Sequence, residues 1–393
     1  MDETNTNYFK RWEKSDSLMK VDFFKHNINK EDIKRVNKVL KSIFLTNANI
    51  TKEFENNFCE YLDSKYCIAV NSCTAALHLS LLALDIKEGD EVITTPMSFV
   101  ATSNAILHVG AKPVFVDIEK ETGNINADLI ESAITEKTKA IIPVHLFGNM
   151  CDMKKIKQIA NKHKLFIIED AAHCVEGQRD GVKVGQLSHA ACFSFYATKN
   201  ITSGEGGAIT TNDEELTKKL YKLRLHGINK DAASRYTNGF QHWDMELLGW
   251  KYNISDIQAA LLIGQLEKIE KRLEKREKLA KYYEKSLKKA QIKFITIPEK
   301  TKSARHLFII LTKNRDNIIK KLQEKNIQVA VNYRAIHNLT YYKQIFNYKP
   351  EDFPIANEFG NNVISIPLYP KLKNKEAKYI VNTIKKVLLN NES

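Results

Sequence analysis

Short apolar runs alternate with helix-periodic segments from Tyr66 to Glu169, and this alternation restricts the chain more than any single residue does. Strands are expected at Tyr66–Asn71, Glu91–Thr95, Lys112–Val116, Ala140–Val144 and Leu165–Glu169. Between them the spacing predicts helices at Thr74–Leu84, Ser98–Val109, Ala127–Ala133 and Met153–His163. A run such as Phe166-Ile167-Ile168 offers apolar side chains to both faces, as strands covered on both sides do. Strands joined through helices run parallel, so the expected core is a mainly parallel sheet between helical layers.

Outside this region the periods change. Helices are expected at Asn29–Ile43, Ile50–Leu62 and Glu214–His226, and an irregular loop at Arg235–Trp250. Beyond Ile257, residues Leu266, Ile269, Leu273, Ala280, Tyr283 and Leu287 keep helical spacing among charged neighbours, after a cap at Ser255-Asp256. One long helix over 257–291 is therefore expected to bridge to a small α+β domain at 292–393. That domain should hold strands His306–Leu311 and Gln328–Val331 and helices Arg315–Lys325 and Lys375–Leu389. Residues 1–22 read as a polar extension and 23–256 as the large domain, a division that suits a chain of 393 residues.

The stretch with most chemistry is FSFYATKNITSGEGG, residues 193–207. Lys199 stands there between the end of a buried strand and a glycine-rich turn. An isolated lysine in a lysine-rich chain is ordinarily a solvated loop residue. At the lip of a buried strand, loss of water disfavours its ammonium form and prepares a nucleophilic amine. Upstream, the apolar strand FII ends in Glu169-Asp170, and ligands of open α/β sheets bind at such carboxyl ends. A carboxylate there either caps the next helix or holds a protonated ring nitrogen, while the lysine forms a Schiff base with an aldehyde. Pyridoxal phosphate requires that combination. Its phosphate needs a cradle, and Asn71-Ser72-Cys73-Thr74-Ala75 runs from a strand end into a helix whose first N–H groups are unpaired. Ser72, Thr74 and Ser194 offer hydroxyls, and Phe99 an aromatic face for a flat ring.

Composition narrows the alternatives. The net charge of +13 could suggest nucleic acid, but Lys and Glu interleave over 268–289 as on a solvated helix face. No nucleic-acid partner is expected; diffuse positive charge would instead attract an anionic small molecule. The six cysteines form no CxxC pair and read as reduced core residues, so no metal site is expected. No segment has a signal peptide's pattern or enough apolar length to span a bilayer, and the expected location is cytoplasmic.

The motifs NSCTAAL (71–77), TPMSFVAT (95–102), HLFGN (145–149), IIEDAAH (167–173), FSFYATKNITSGEGG (193–207), RLHGI (224–228) and GWKYNISDIQAALLIGQL (249–266) occur in an order that resembles the pyridoxal-phosphate-dependent nucleotide-sugar aminotransferases of the DegT/DnrJ/EryC1/StrS family. The resemblance spans about residues 23–390. It implies the aspartate-aminotransferase-like fold (fold type I), a three-layer sandwich with a smaller α+β C-terminal domain. By the same resemblance, Lys199 carries the cofactor covalently, Asp170 meets the pyridine nitrogen, and Thr74, Ala75 and Ser194 hold the phosphate. Phe99 stacks on the ring, and His173 takes a place near the 3-hydroxyl where many members have glutamine. Cys73 stands where glycine commonly precedes the threonine. Asn253 matches a residue that reaches the neighbouring subunit's phosphate, which implies a homodimer with shared active sites.

Members that remove a hydroxyl carry histidine in place of the lysine, so Lys199 favours transamination from L-glutamate to a nucleotide-linked keto-sugar. The stretches KNIT and GWKYNISDI resemble members acting at C4 of UDP-linked 4-keto sugars, 6-deoxy and N-acetylated ones included, for surface glycans or lipopolysaccharide. Lys251, Tyr252, His306, Tyr333 and His337 are expected to meet substrate. The alternatives are a 3-keto sugar aminotransferase using dTDP- or GDP-sugars, and a non-catalytic family member with a regulatory or structural role.

Overall fold

The computed structural model describes residues 19–229 and 242–389. Residues 1–18 of the expected extension, 235–241 of the expected loop and 390–393 lie outside the described residues. Helices α1 (Lys30–Leu40) and α2 (Asn49–Leu62) lead into β1 (Tyr66–Val70) and α3 (Cys73–Ala83). Alternation continues through β2 (Glu91–Thr94), α4 (Ala101–His108), β3 (Lys112–Phe115), α5 (Ala127–Ile130), β4 (Thr138–Ile141), α6 (Met153–His163) and β5 (Phe166–Asp170). A two-residue hairpin, β6 (Gln178–Arg179) and β7 (Val182–Lys183), precedes β8 (Ala190–Ser194), β9 (Gly207–Thr211) and α7 (Glu214–Leu223).

Seven of these strands form one sheet in the order β1-β9-β8-β5-β4-β2-β3. Its pairs are parallel except those of β9, which runs antiparallel to both β1 and β8. Side chains alternate across it, as the pleat requires. Cys67, Ala69, Ile167 and Phe193 enter the core that holds Phe54 and Phe58 of α2. Ile68, Val70, Ile168 and Cys192 enter the opposite core, against Leu77 and Leu79 of α3. Helix α3 is buried nearly all round, which is why its sequence, CTAALHLSLLA, has no polar face.

The single long helix expected over 257–291 is two, α8 (Asp256–Leu266) and α9 (Ile269–Lys288). Fully buried Gln265 ties the end of α8 to the loop after Lys199, donating to Thr202 O at 2.7 Å and accepting from Thr202 N at 3.3 Å. Helix α9 then turns Leu279, Tyr283 and Leu287 into a separate core. Beyond it come β10 (Lys293–Phe294), β11 (Thr301–Lys302) and β12 (Phe308–Leu311), then α10 (Arg315–Glu324), α11 (Thr340–Phe346), α12 (Pro354–Asn362), β13 (Val363–Ile366) and α13 (Asn374–Leu389). Strands β10, β12 and β13 make a small antiparallel sheet, while β11 pairs with β6.

Two expectations fail here. Gln328–Val331 contributes only a bridge from Ala330 to Ser365, not a strand. Val21, assigned to the polar extension, is buried in the separate core around α9 and held by backbone bonds to Asn326 O and from Gln328 N. Neither departure alters the site. Among the described residues no helix is long and apolar enough to cross a membrane, and no group of three metal-ligating side chains occurs.

Candidate active site

The carboxyl ends of β1, β2, β4, β5 and β8 meet at one edge of the large sheet, and a cavity of about 540 Å³ opens there. Its walls include Ser72, Thr74, Phe99, Asp170, His173, Ser194, Lys199 and Tyr333. Open α/β sheets place ligands at this edge because the following helices begin there with unpaired N–H groups.

Lys199 lies in a loop that is stapled shut. Phe195 N bonds to Gly206 O at 2.8 Å, Ser203 N to Phe195 O at 3.0 Å, and Lys199 N to Tyr196 O at 2.9 Å. The glycine that ends the loop is required by contact: a Cβ on Gly207 would stand 2.5 Å from the carbonyl carbon of Ser72. Only glycine lets β9 lie against the Ser72–Cys73 turn, so the lysine loop and the turn form one wall. Burial pushes the Lys199 amine down to about 8, against the opposing pull of Cys73 and Asp170. The amine is thus partly free base near neutral pH.

Asp170, at the end of β5, faces the cavity. Its Oδ2 accepts from Thr102 Oγ1 at 2.7 Å and its Oδ1 from Ala172 N at 3.1 Å. Burial raises its pKa, with Thr102, Ala172 N–H and the Lys199 charge pulling it back. Neighbouring Glu169 points through the sheet, to His145 Nε2 at 2.7 Å and Gly185 N at 3.1 Å. The pleat therefore assigns the cavity to Asp170 and leaves Glu169 in the opposite core.

Ser72 is the N-cap of α3, and its Oγ accepts from Ala75 N at 3.1 Å. Thr74 lines the cavity, whereas Ala75 lies one residue deeper with its N–H on Ser72. Ser194 Oγ accepts from Tyr196 N at 3.3 Å. Phe99 precedes α4 in a turn and leaves 58% of its surface exposed beside Tyr333. His173 Nδ1 accepts from Phe147 N at 3.3 Å, which leaves Nε2–H to donate to Tyr333 Oη at 3.0 Å. Burial, then the charge of Lys199, holds its pKa well below the ordinary imidazole range. His306 packs on His173 with ring centres 4.4 Å apart and reaches a smaller pocket behind Lys199.

Six expected residues do not line this cavity: Ala75 and His306, placed above, and four more. His337 is fully buried against Phe353, where burial pushes its pKa down to about 4; it is a core residue. Tyr252 packs into the core beside Trp250, its hydroxyl 3.4 Å from His78 Nδ1. Lys251 is exposed and bridges Leu225. Asn253 bridges the end of β1 at Val70, and its Nδ2 donates to Thr46 Oγ1 at 3.2 Å. Its Oδ1 is buried and has no hydrogen-bond partner among the described residues. Thr102 and Phe23 are among the cavity residues that sequence reasoning did not single out. Thr102 sits inside the TPMSFVAT motif and Phe23 before α1, and neither carries a periodic signal.

The donors present fit pyridoxal phosphate. Asp170 is a buried carboxylate with no ion-pair partner within 4 Å among the described residues, so a cationic ring N–H suits it. The cavity also places hydroxyls at a helix start and an aromatic face within one space.

The sequence pattern of the DegT/DnrJ/EryC1/StrS aminotransferase family matches residues 26–385. The chain is 39% identical to the spore coat polysaccharide biosynthesis protein SpsC of Bacillus subtilis, over 92% of this chain and 95% of that protein. A Streptococcus pneumoniae protein assigned as a sugar aminotransferase, solved in PMP and PLP forms, is similar in structure. Its PMP form gives a TM-score of 0.90 at 34% identity, covering 94% of this chain and 99% of that one. Helicobacter pylori PseC, an aminotransferase of pseudoaminic acid biosynthesis, gives 0.88 at 32% identity, covering 95% and 100%.

Proposed function

The chain belongs to the DegT/DnrJ/EryC1/StrS aminotransferase family, and on that premise we propose that it moves an amino group from L-glutamate to C4 of a UDP-linked 4-keto sugar, as a step toward a surface glycan. The family is pyridoxal-phosphate-dependent. That cofactor supplies an aldehyde to carry the amino group and a ring that accepts the electron pair released at the reacting carbon.

The chain's own residues take the remaining parts. Lys199 Nζ attaches the cofactor and, when free, moves a proton at the reacting carbon; its lowered pKa suits both tasks. Asp170 holds a protonated ring nitrogen by a charge-assisted bond, with Thr102 and Ala172 N–H fixing the carboxylate plane. Ser72, Thr74, Ser194 and the first N–H groups of α3 hold the phosphate. Phe99 would offer its face to the ring, with His173 and Tyr333 lining the same cavity. Asn253, outside its own chain's cavity and carrying an oxygen unpaired among the described residues, completes the site of a second copy in a homodimer.

The observation that carries the reading is Lys199 and Asp170 in the wall of one cavity at the sheet's carboxyl edge. Relatives named for a spore coat polysaccharide and for pseudoaminic acid support a sugar acceptor. The test is a panel of UDP-, dTDP- and GDP-linked 4-keto and 3-keto sugars with L-glutamate, read by mass spectrometry. A gain of one amino group on the UDP-4-keto members is expected. Amination confined to a 3-keto or dTDP-linked sugar would overturn the substrate assignment while leaving the chemistry.

A further inference from the structure

A chain of two hydroxyls runs along the cavity wall to Asp170. Thr102 lies in the first turn of α4, and Ser98 stands four residues earlier, in the turn before that helix. They are 1% and 3% exposed, and both line the cavity. Thr102 Oγ1 has Asp170 Oδ2 within reach at 2.7 Å, Ser98 Oγ at 2.8 Å and Phe99 O at 3.3 Å. A threonine hydroxyl has one hydrogen to give, and an ionised carboxylate can only accept. Its charge also makes the carboxylate the strongest of the three acceptors. Thr102 therefore donates to Asp170. With nothing left to give Ser98, it accepts from Ser98, and the chain has one sense: Ser98 to Thr102 to Asp170.

The competitor is the helix itself. A helical threonine often returns its hydroxyl hydrogen to a carbonyl three or four residues back, and Phe99 O is that carbonyl. Chained hydrogen bonds polarise one another, so a hydroxyl that receives one donates more strongly. A stronger donor gains more from a carboxylate than from a neutral carbonyl, and the Ser98 hydrogen thus biases Thr102 toward Asp170. The carboxylate needs that donor. Burial raises its pKa, and Thr102 is the largest opposing influence, ahead of Ala172 N–H, Lys199 and His145. Cys73, Cys192 and Tyr333 also stand close enough to feel its charge, and burial raises the pKa of each, so all three stay neutral.

We propose that Ser98 is a positioning residue: by donating to Thr102 it commits the Thr102 hydrogen to Asp170 and keeps that carboxylate ionised for a protonated ring nitrogen. The consequence for the cofactor rests on reading Asp170 as the partner of that nitrogen. In this role Ser98 acts through Thr102, and Thr102 through the charge of Asp170. Ala172 N–H holds the other carboxylate oxygen at 3.1 Å, so losing Thr102 removes one of the two donors.

The test has three readouts apart from turnover. In the cofactor-free full chain, the ¹³C carboxyl shift of Asp170 followed against pH gives its midpoint. Removing a donor disfavours the charged form, so Thr102→Val should raise the midpoint by about one pH unit, and Ser98→Ala by less. The double variant should match Thr102→Val alone, and Thr102→Ser, which keeps the hydroxyl, should stay near the wild type. In holoenzyme carrying pyridoxal phosphate labelled with ¹⁵N in the ring, the nitrogen should move from a pyridinium-type toward a pyridine-type shift in the same order of variants. Additive effects, no change in Ser98→Ala, or a change in Thr102→Ser as large as in Thr102→Val overturn the proposal. Neutron diffraction from deuterated wild-type crystals needs no variant. The Thr102 deuteron should point to Asp170 and that of Ser98 to Thr102; a Thr102 deuteron on Ser98 or Phe99 O overturns the proposal whether or not any variant folds. A pyridine-type nitrogen in the wild type would instead overturn the reading of Asp170 toward the cofactor, while the deuterons and the cofactor-free midpoints still decide the hydroxyl chain.

Discussion

Replacing Asp170 with asparagine tests the electrostatics of the site at its most specific point. The side chain keeps its shape, and one oxygen remains to accept either from Thr102, now at 2.7 Å, or from Ala172 N, now at 3.1 Å. The other position becomes an amide nitrogen facing a donor or the cofactor, and the negative charge is gone. A hydrogen bond to a charged group in a shielded site is worth about 1.5–3 kcal/mol, which corresponds to roughly 10–150-fold in rate if the ring nitrogen needs its proton in the transition state. The measurement is kcat for amination under saturating glutamate, with cofactor occupancy read from the visible band. We expect occupancy to fall modestly and kcat by at least about tenfold. Rescue by Glu169 is closed off, because that side chain is committed to His145 and Gly185 on the other face. Near-normal kcat in Asp170→Asn would therefore refute the ring-nitrogen assignment outright. The control is Glu169→Gln, which should cost stability and leave the band unchanged.

Asn253→Ala should weaken cofactor binding by about 1.5–3 kcal/mol without unfolding the subunit. Mixed with inactive Lys199→Ala subunits it should regain activity through hybrid dimers; demonstrated subunit exchange without that gain refutes the shared site. His337→Phe should leave KM and kcat unchanged and cost little in Tm, since the ring is fully buried against Phe353 outside the cavity; lost turnover at wild-type stability would return His337 to the site. Arg224→Leu strands the buried Glu55 carboxylate, although Ala69 N still donates to it at 2.8 Å. Denaturant unfolding should show a loss of about 3–5 kcal/mol, and a loss well under 1 would mean the pair is not closed to water.

The sheet was legible because burial on both faces writes continuous apolar runs, and Ile167-Ile168 needs no partner to be recognised as such. Strand direction leaves no such mark. Strand β9 reads as GAITT whether parallel or antiparallel, and its reversal follows from the short return after Lys199. The break between α8 and α9 was hidden for a related reason. Leu266, Ile269 and Leu273 stay in phase across Glu267-Lys268, so periodicity runs on where Gln265 has already been anchored to Thr202. Val21 escaped notice because the alternation Met19-Val21-Phe23 is too short to stand out at the end of a polar stretch.

Within the site, what sequence revealed tracks how unusual each group's chemistry is. A lysine at a strand lip and an acid at a strand end are costly there unless used, so both stand out in the sequence alone. The choice between Glu169 and Asp170 depends on which face each takes, and only the pleat decides it. Histidine is the opposite case. His306 and His337 look alike as residues near strand or loop ends, yet one packs at a tilt on His173 beside Lys199 and the other fills a gap against Phe353. Thr102 was invisible for the reason that makes it matter: a small neutral side chain adds no charge and no apolar stripe. What it contributes is the orientation of a stronger neighbour, Asp170, and orientation exists only once the chain is folded.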